Sequence, residues 1–279
     1  MSMDDNTQQR HLEHLELIKN FRLMDDDFLT KCFEGETSCI ELVLRIVLEK
    51  PDLQVMDVHT QVFVENLVNR SVRLDILATD SIGTKYNIEI QRSDKGAGRK
   101  RARYNSSMLD ANLLQKGEDF SELPETYVIF ITENDVLGKG LPLYPVERYI
   151  SVTGERFEDG AHILYVNGAY RGDSPIGRLM HDFGCIDPSE MYYDVLAERV
   201  KFFKESKEGV AVMCRAIEDM WKRAVNEGLQ EGLQEGRMES NRATARRMLL
   251  DGSLSLEKIA EFSGLSIEEV KKLQSEKSA

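Results

Sequence analysis

The chain has 279 residues, 41% of them hydrophobic and 30% charged, which suffices for one large core with appendages or for two domains. Its net charge of −13 argues against indiscriminate binding to nucleic acid. The polar, acidic start differs from a secretory signal, and no run approaches the roughly 20 apolar residues of a membrane span. The four scattered cysteines lack metal-ligand spacing and suit a reducing compartment, so we expect a cytoplasmic protein with no membrane partner.

The first quarter of the chain predicts helices and then a strand. Residues 4–26 are polar with one apolar helical stripe, which predicts a short helix or a flexible arm. Residues 36–49 have a helical apolar pattern that Pro51 ends. Residues 53–68 alternate and are rich in valine, which predicts one long strand or a bent pair.

Two strand-like runs, residues 71–78 and 85–91, are separated by a short turn. Gly83 occupies the third place of a three-residue loop, where a left-handed residue is favoured. This register places Asp75 opposite Glu89, with Cβ atoms roughly 5 Å apart. Two carboxylates at that distance repel unless a divalent cation lies between them or one is protonated. The alternative is a surface hairpin whose two acids are solvated. A bulge would shift the register by one residue and place the two acids on different faces of the sheet.

A magnesium ion would suit this pair of acids. Mg²⁺ takes oxygen ligands in an octahedron and keeps several waters. Asp75, Glu89 and the main-chain carbonyl of Ile90, completed by water, would provide such ligands. Because side chains alternate along a strand, Gln91 shares the face of Glu89 and lies opposite Arg73.

A basic segment follows the second strand directly. Residues 92–103 hold six basic residues and one acidic residue in an acidic protein. The six are Arg92, Lys95, Arg99, Lys100, Arg101 and Arg103. A solvated helix face is the usual reason for such a run, but its position beside the acids favours phosphate binding as much. Gly96 and Gly98 mark a hinge into a helix predicted over residues 99–117.

The middle of the chain predicts a central strand followed by helices. Residues 125–132 form a continuous run of β-branched and aromatic residues, typical of a strand buried on both faces. The further predicted elements are less regular β structure at 146–152 and 161–167, and helices at 176–183, 189–206 and 208–226. The order helix, strand, hairpin, helix, strand predicts an α/β sandwich with a mixed sheet. An α+β domain with an antiparallel sheet covered on one face is the alternative.

The C-terminal part contains a repeat and a helical pair. Residues 227–237 repeat Glu-Gly-Leu-Gln. Each glycine within a helix costs about 1 kcal/mol, so the three glycines of the repeat need a reason. The repeat is either a hinge or extended helix between two domains, or a segment whose glycines let two helices approach closely. Residues 254–273 predict a compact helix-turn-helix that binds DNA or, alternatively, caps or dimerises the protein. The predicted divisions are 1–26, 27–207, 208–240 and 241–279.

Three motifs in order, Arg73-Leu-Asp75, Ile88-Glu89-Ile-Gln91 and Arg101-Ala-Arg-Tyr104, resemble the PD-(D/E)XK nuclease family transposases, also called the Rpn recombination-promoting nuclease family. The similarity extends to Phe28, Glu133, residues 176–183, the repeat and the terminal helical pair. It implies a restriction-endonuclease-like core and divalent-metal-dependent cleavage of DNA, linked to recombination or mobile elements. The metal implied is Mg²⁺, with Mn²⁺ or Ca²⁺ as alternatives, and no small-molecule cofactor is implied.

The resemblance assigns roles to individual residues. Asp75 matches the motif aspartate, Glu89 the motif Asp/Glu, and Gln91 the position that usually holds lysine. Glu41 corresponds to an acid that some members place on the preceding helix, although a helix-surface glutamate needs no special reason. Glutamine can orient water but carries no charge. We therefore expect the missing positive charge to come from one of three arginines, Arg73, Arg92 or Arg99.

Two other functions remain open at this point. A catalytically weak or inactive DNA-binding or assembly protein would keep the same fold, and Gln91 and the acidic net charge favour it slightly. A metal-binding regulatory module whose terminal helices bind a protein partner is the third reading. For the nuclease, a homodimer would supply the two active sites that cleavage of both strands calls for.

Overall fold

The computed structural model describes residues 3–66 and 70–276, without the side chains of residues 3–8, 94, 95 and 227. The side chain of Lys95, one of the predicted DNA-binding residues, therefore lies outside the described part. The chain divides into two compact units, residues 1–216 and 217–279.

A mixed six-stranded sheet forms the centre of the first unit. Its strands are β1 (Val55–Val64), β2 (Val72–Asp80), β3 (Lys85–Gln91), β4 (Thr126–Thr132), β5 (Leu143–Val146) and β6 (Ala161–Asn167), in the order β1-β2-β3-β4-β6-β5. The first three strands pair antiparallel, β3, β4 and β6 pair parallel, and β5 returns antiparallel to β6. This confirms the predicted α/β fold with a mixed sheet, and the purely antiparallel alternative is wrong.

Helices flank the sheet. They are α1 (Met3–Asn20), α2 (Asp26–Phe33), α3 (Thr37–Leu48), α4 (Arg99–Ala111), α5 (Pro175–Gly184) and α6 (Asp194–Glu205), followed by α7 (Lys207–Asp251). Helix α4 is the crossover between the parallel strands β3 and β4, as such strands require. Helices α2 and α3 contact β1, and α3 also packs against α5 and α6.

The core fixes the position of α4 on the sheet. Every residue of β4 is buried, as predicted for a central strand. Ala102 and Leu109 of α4 pack in one cluster with Val128, Phe130 and Tyr165 of the sheet. Because this apolar contact holds α4 in place, it also determines which polar residues of α4 reach the neighbouring strand β3.

The β2–β3 hairpin has the predicted register. Ala78 pairs with Tyr86 and Ile76 with Ile88, and Gly83 has a φ of +91° in the turn. The carboxylate of Asp80 closes the turn, because it accepts hydrogen bonds from the Ile82 and Thr84 N–H groups and from the Tyr86 hydroxyl.

Several boundaries differ from the predicted ones. Helix α4 ends at Ala111, before Gly117, and the strand expected at 146–152 lies at Leu143–Val146. Helix α6 starts late because a short 3₁₀ turn precedes it. Helix α7 continues through the Glu-Gly-Leu-Gln repeat, whose Leu, Gln and Glu residues favour helix and offset the glycines.

The second unit ends in the predicted helix-turn-helix, formed by α8 (Leu256–Ser263) and α9 (Ile267–Glu276). Ser255 caps α8, and Gly264 turns the chain with a φ of +68°. Ile259 and Val270 pack in one small core with Ala245 of α7. None of the described helices combines the length and the apolar character that crossing a membrane requires.

Candidate active site

Asp75 and Glu89 lie where β2 and β3 separate. The main-chain pairing of the two strands ends at Ile76 and Ile88, just before the acids. Beyond that point the Ile90 N–H donates to Asp75 Oδ2 over 3.1 Å, and the Asp75 N–H donates to Glu89 Oε1 over 3.4 Å. Asp75 is 7% exposed and Glu89 is fully buried. The two carboxylates therefore replace main-chain partners in the gap between the strands.

The surroundings of the two acids disfavour their charged forms. Burial raises the pKa of Asp75 to about 8, and the negative charges of Glu89 and Asp26 add to the rise. Burial also raises the pKa of Glu89, while Arg101 opposes that rise. Two buried carboxylates that share one arginine either keep a proton or attract a second cation.

Arg101 of α4 reaches both motif positions on β3. Its Nη2 lies 3.0 Å from Glu89 Oε2, and its Nη1 lies 3.4 Å from Gln91 Oε1 and 3.2 Å from the Gly96 carbonyl oxygen. A Cβ on Gly96 would lie only 1.8 Å from Gln91 Oε1. Glycine at position 96 thus lets the 94–97 turn close over the Gln91 side chain.

Asp26, at the start of α2, is an acid of this site that sequence reasoning missed. Its charge contributes to the raised pKa of Asp75. Gln61 lies opposite Asp75 on β1 with a φ of +54°, and its amide donates to Asp26 Oδ1 and to Thr30 Oγ1. The available signal was the run Asp25-Asp26-Asp27 before Phe28, which is typical of a helix start.

A cavity of about 880 Å³ opens beside Asp75. Asp26 and Gln91 also line it. Its basic lining residues are Arg70, Arg73, Lys100, Arg101 and Arg103. The structure therefore brings four of the predicted DNA-binding residues together with Asp75, and Arg70 joins them.

Two of the predicted basic residues lie elsewhere. Arg92 contacts Asp25 over 2.8 Å and Glu133 over 3.4 Å, in an ion cluster that Arg22 completes. Arg99 does not line the cavity; its charge acts on the Tyr165 phenol. Burial raises the pKa of Tyr165, and the positive charge of Arg99 partly opposes that rise.

Glu41 on α3 is not brought to the acid pair. Its carboxylate pairs with Arg45 over 2.6 Å and accepts the Val55 N–H over 2.9 Å. Val55 pairs with Asp80 at the turn end of β2, five residues from Asp75. In this position Glu41 joins α3 to the start of β1.

The donor set at the acid pair fits a hard divalent cation. Within residues 3–66 and 70–276, no group of three or more His, Cys, Asp or Glu side chains is arranged around a metal position, so main-chain and water oxygens would have to complete the ligands that the two acids offer. The N–H and C=O of a strand residue face the same neighbouring strand, so Ile90 also directs its carbonyl toward β2. Two carboxylate groups, one carbonyl and water are the oxygen ligands that Mg²⁺ accepts.

A family comparison covers the part of the chain that holds the acid pair. Residues 36–167 match the model of the PD-(D/E)XK nuclease family transposases, a segment just under half of the chain that includes Asp75, Glu89, Gln91 and Arg101. Neither curated proteins nor solved structures give a match. The mixed sheet with flanking helices is the architecture expected of such a nuclease domain. Over residues 36–167 this chain is therefore similar to the PD-(D/E)XK nuclease family transposases.

Proposed function

We propose that this protein is a divalent-metal-dependent DNA endonuclease. The observation that carries the proposal is the buried pair Asp75 and Glu89 in the family-matched segment, of which Asp75 lines a basic cavity. Burying two like charges this close is unfavourable, and folds keep such pairs where a cation or a reaction uses them.

Some residues of the site would bind the metal, and others would bind the substrate. Asp75, Glu89 and the Ile90 carbonyl would hold the cation. When bound, a divalent cation polarises a phosphodiester and lowers the pKa of a water molecule. The basic residues of the cavity would bind the phosphates on either side of the bond that is cut. Gln91 would orient water through its amide, since it carries no charge.

The charge distribution favours a polyanionic substrate, and the family match makes DNA the polyanion that we propose. The protein as a whole carries a net charge of −13 and would repel a polyanion. The cavity beside Asp75 concentrates five basic side chains, which would direct phosphates to the surface around that acid. Such binding weakens as the salt concentration rises, because the counterions that the protein releases from the DNA then gain less entropy.

A plasmid-nicking assay tests the proposal. Wild-type protein with Mg²⁺ or Mn²⁺ should nick the plasmid, and EDTA should stop it. Asp75→Asn and Glu89→Gln keep the side-chain shapes but remove one charge each, and both should fall to background. Asp57→Asn is the matched control, because Asp57 is an exposed acid of β1 that pairs with His59. Undiminished nicking by both site variants would reject the site.

Gln91 favours a second candidate, a protein of the same fold that binds DNA without cutting it. The motif position that usually holds a charge is neutral in this chain. Under this alternative, wild type would bind DNA with a steep salt dependence but would not nick it with Mg²⁺, Mn²⁺ or Ca²⁺.

A further inference from the structure

Position 91 holds a neutral glutamine, but the positively charged side chain of Arg101 contacts that glutamine. We propose that Arg101 supplies from α4 the catalytic charge that a motif lysine would supply from β3. This inference rests on the proposed nuclease function. Among the residues that the structure describes, Arg101 is the basic side chain that contacts both Glu89 and Gln91.

The three arginines expected to do this are placed differently. Arg92 is held by Asp25 and Glu133, away from the cavity lining. Arg99 is not among the residues that line the cavity. Arg73 lines the cavity, but its described contacts do not include either acid. Among the basic side chains that the structure describes, Arg101 is the one that both lines the cavity and donates a hydrogen bond to a motif carboxylate.

The guanidinium is held in a defined orientation. Its Nη1 donates to Gln91 Oε1 and to the Gly96 carbonyl, while its Nη2 donates to Glu89 Oε2. A guanidinium has five N–H donors, so donors remain for a phosphate oxygen. The side chain is 43% exposed and lines the cavity, so a substrate can reach those donors.

The same contact has a second consequence. Arg101 and a divalent cation would both interact with the Glu89 carboxylate, and two positive charges close together repel each other. Removing the guanidinium should therefore strengthen metal binding while it slows cleavage. A residue with only a structural role would weaken both or leave both unchanged.

Three variants at two positions test the role of Arg101. They are Arg101→Gln, Arg101→Lys and the double variant Arg101→Gln with Gln91→Lys, which returns the charge to the motif position. Arg178→Gln is the control, because Arg178 forms an exposed ion pair with Asp173 at 2.7 Å outside the cavity. The readouts are the Mn²⁺ dissociation constant by calorimetry and the single-turnover nicking rate at saturating Mn²⁺ and plasmid. Circular dichroism checks that each variant is folded.

The expected result is a divergence of the two readouts. Arg101→Gln should nick about 100-fold more slowly, as expected when one donor to a developing charge is removed. Its Mn²⁺ dissociation constant should fall severalfold. Arg101→Lys should nick at an intermediate rate, the double variant should recover at least tenfold over Arg101→Gln, and Arg178→Gln should match wild type.

Different outcomes would overturn different parts of the reasoning. If wild type binds Mn²⁺ but does not nick, the proposed function fails and the role of Arg101 fails with it. If wild type nicks and folded Arg101→Gln nicks equally fast, the role of Arg101 alone is refuted. Weaker Mn²⁺ binding by Arg101→Gln, or a double variant no faster than Arg101→Gln, would also contradict it.

Discussion

Replacing Asp75 with asparagine should stabilise the metal-free protein at neutral and alkaline pH while it abolishes cleavage. The reason is the burial of this carboxylate, which is 7% exposed and lies beside Glu89 and Asp26. At low pH the carboxyl group is protonated in both the folded and the unfolded state, and its burial costs little. As the pH rises from the ordinary pKa toward the raised one, the unfolded state gains from losing the proton while the folded state keeps it, so the fold loses stability.

The magnitude follows from the shift of the Asp75 pKa from 3.8 to about 8. At pH 7, about three units above the ordinary pKa, the relative loss of stability reaches about 4 kcal/mol, because each unit corresponds to about 1.4 kcal/mol. Asparagine carries no charge, and its carbonyl oxygen can still accept the Ile90 N–H. Its amide group needs a new partner in the gap, so we expect a net gain of about 2 to 4 kcal/mol at pH 8.5 and little gain at pH 4.

Urea unfolding in EDTA at pH 4, 7 and 8.5 measures this gain. Pulse proteolysis should detect the first unit directly, because the single tryptophan, Trp221, lies in the second unit and reports on that unit. A neutral or destabilising effect of Asp75→Asn at pH 8.5 would refute the reasoning, and so would an equal effect at all three pH values.

Asp80→Asn is the matched control for this experiment. Asp80 lies on the same strand with the same 7% exposure, but its carboxylate accepts three hydrogen bonds. An amide there would present a donor group to other donors. We expect a loss of about 1 to 3 kcal/mol at pH 7 and 8.5, opposite in sign to the effect of Asp75→Asn.

Further predictions concern other parts of the molecule. Gly96→Ala should displace the Gln91 side chain and slow single-turnover nicking, since the new Cβ would lie 1.8 Å from Gln91 Oε1. Gly232→Ala should raise the stability of the second unit in urea by about 0.5 to 1 kcal/mol, because the space around that Cβ is open. Glu41→Gln should lower the stability of the first unit by about 1 kcal/mol while metal-dependent nicking persists. Arg103→Gln should weaken DNA binding and reduce its salt slope by about 1 in a fluorescence titration.

The hairpin and its acids were accessible from the sequence because local geometry determines them. Gly83 and the loop length set the register, and the alternation of side chains then placed Asp75 opposite Glu89. The central strand β4 was equally clear from its apolar run. In each case neighbouring residues along the chain carry all the information needed.

The contacts of Arg101 and Asp26 depend on packing between distant segments. The sequence placed Arg101 on a helix, but the rotation of α4 over the sheet comes from its apolar contacts with β4 and β6. Asp26 reaches the site from 49 residues away through α2, a helix of eight residues whose pattern is too short to stand out. Helix α7 was predicted too short because the glycines of its repeat suggested an end that their helix-favouring neighbours override.

Because β2 and β3 separate at the acid pair, a main-chain amide of the sheet responds directly to a ligand bound by Asp75. The Ile90 N–H is bound to a side chain, Asp75, in the place where a regular ladder would offer a carbonyl. Any ligand that draws the Asp75 carboxylate away must therefore change the magnetic environment of one backbone amide. In a protein labelled with ¹⁵N, the Ile90 resonance should shift during a titration with Mg²⁺. Occupancy could thus be followed with no substrate present and no label attached to the site.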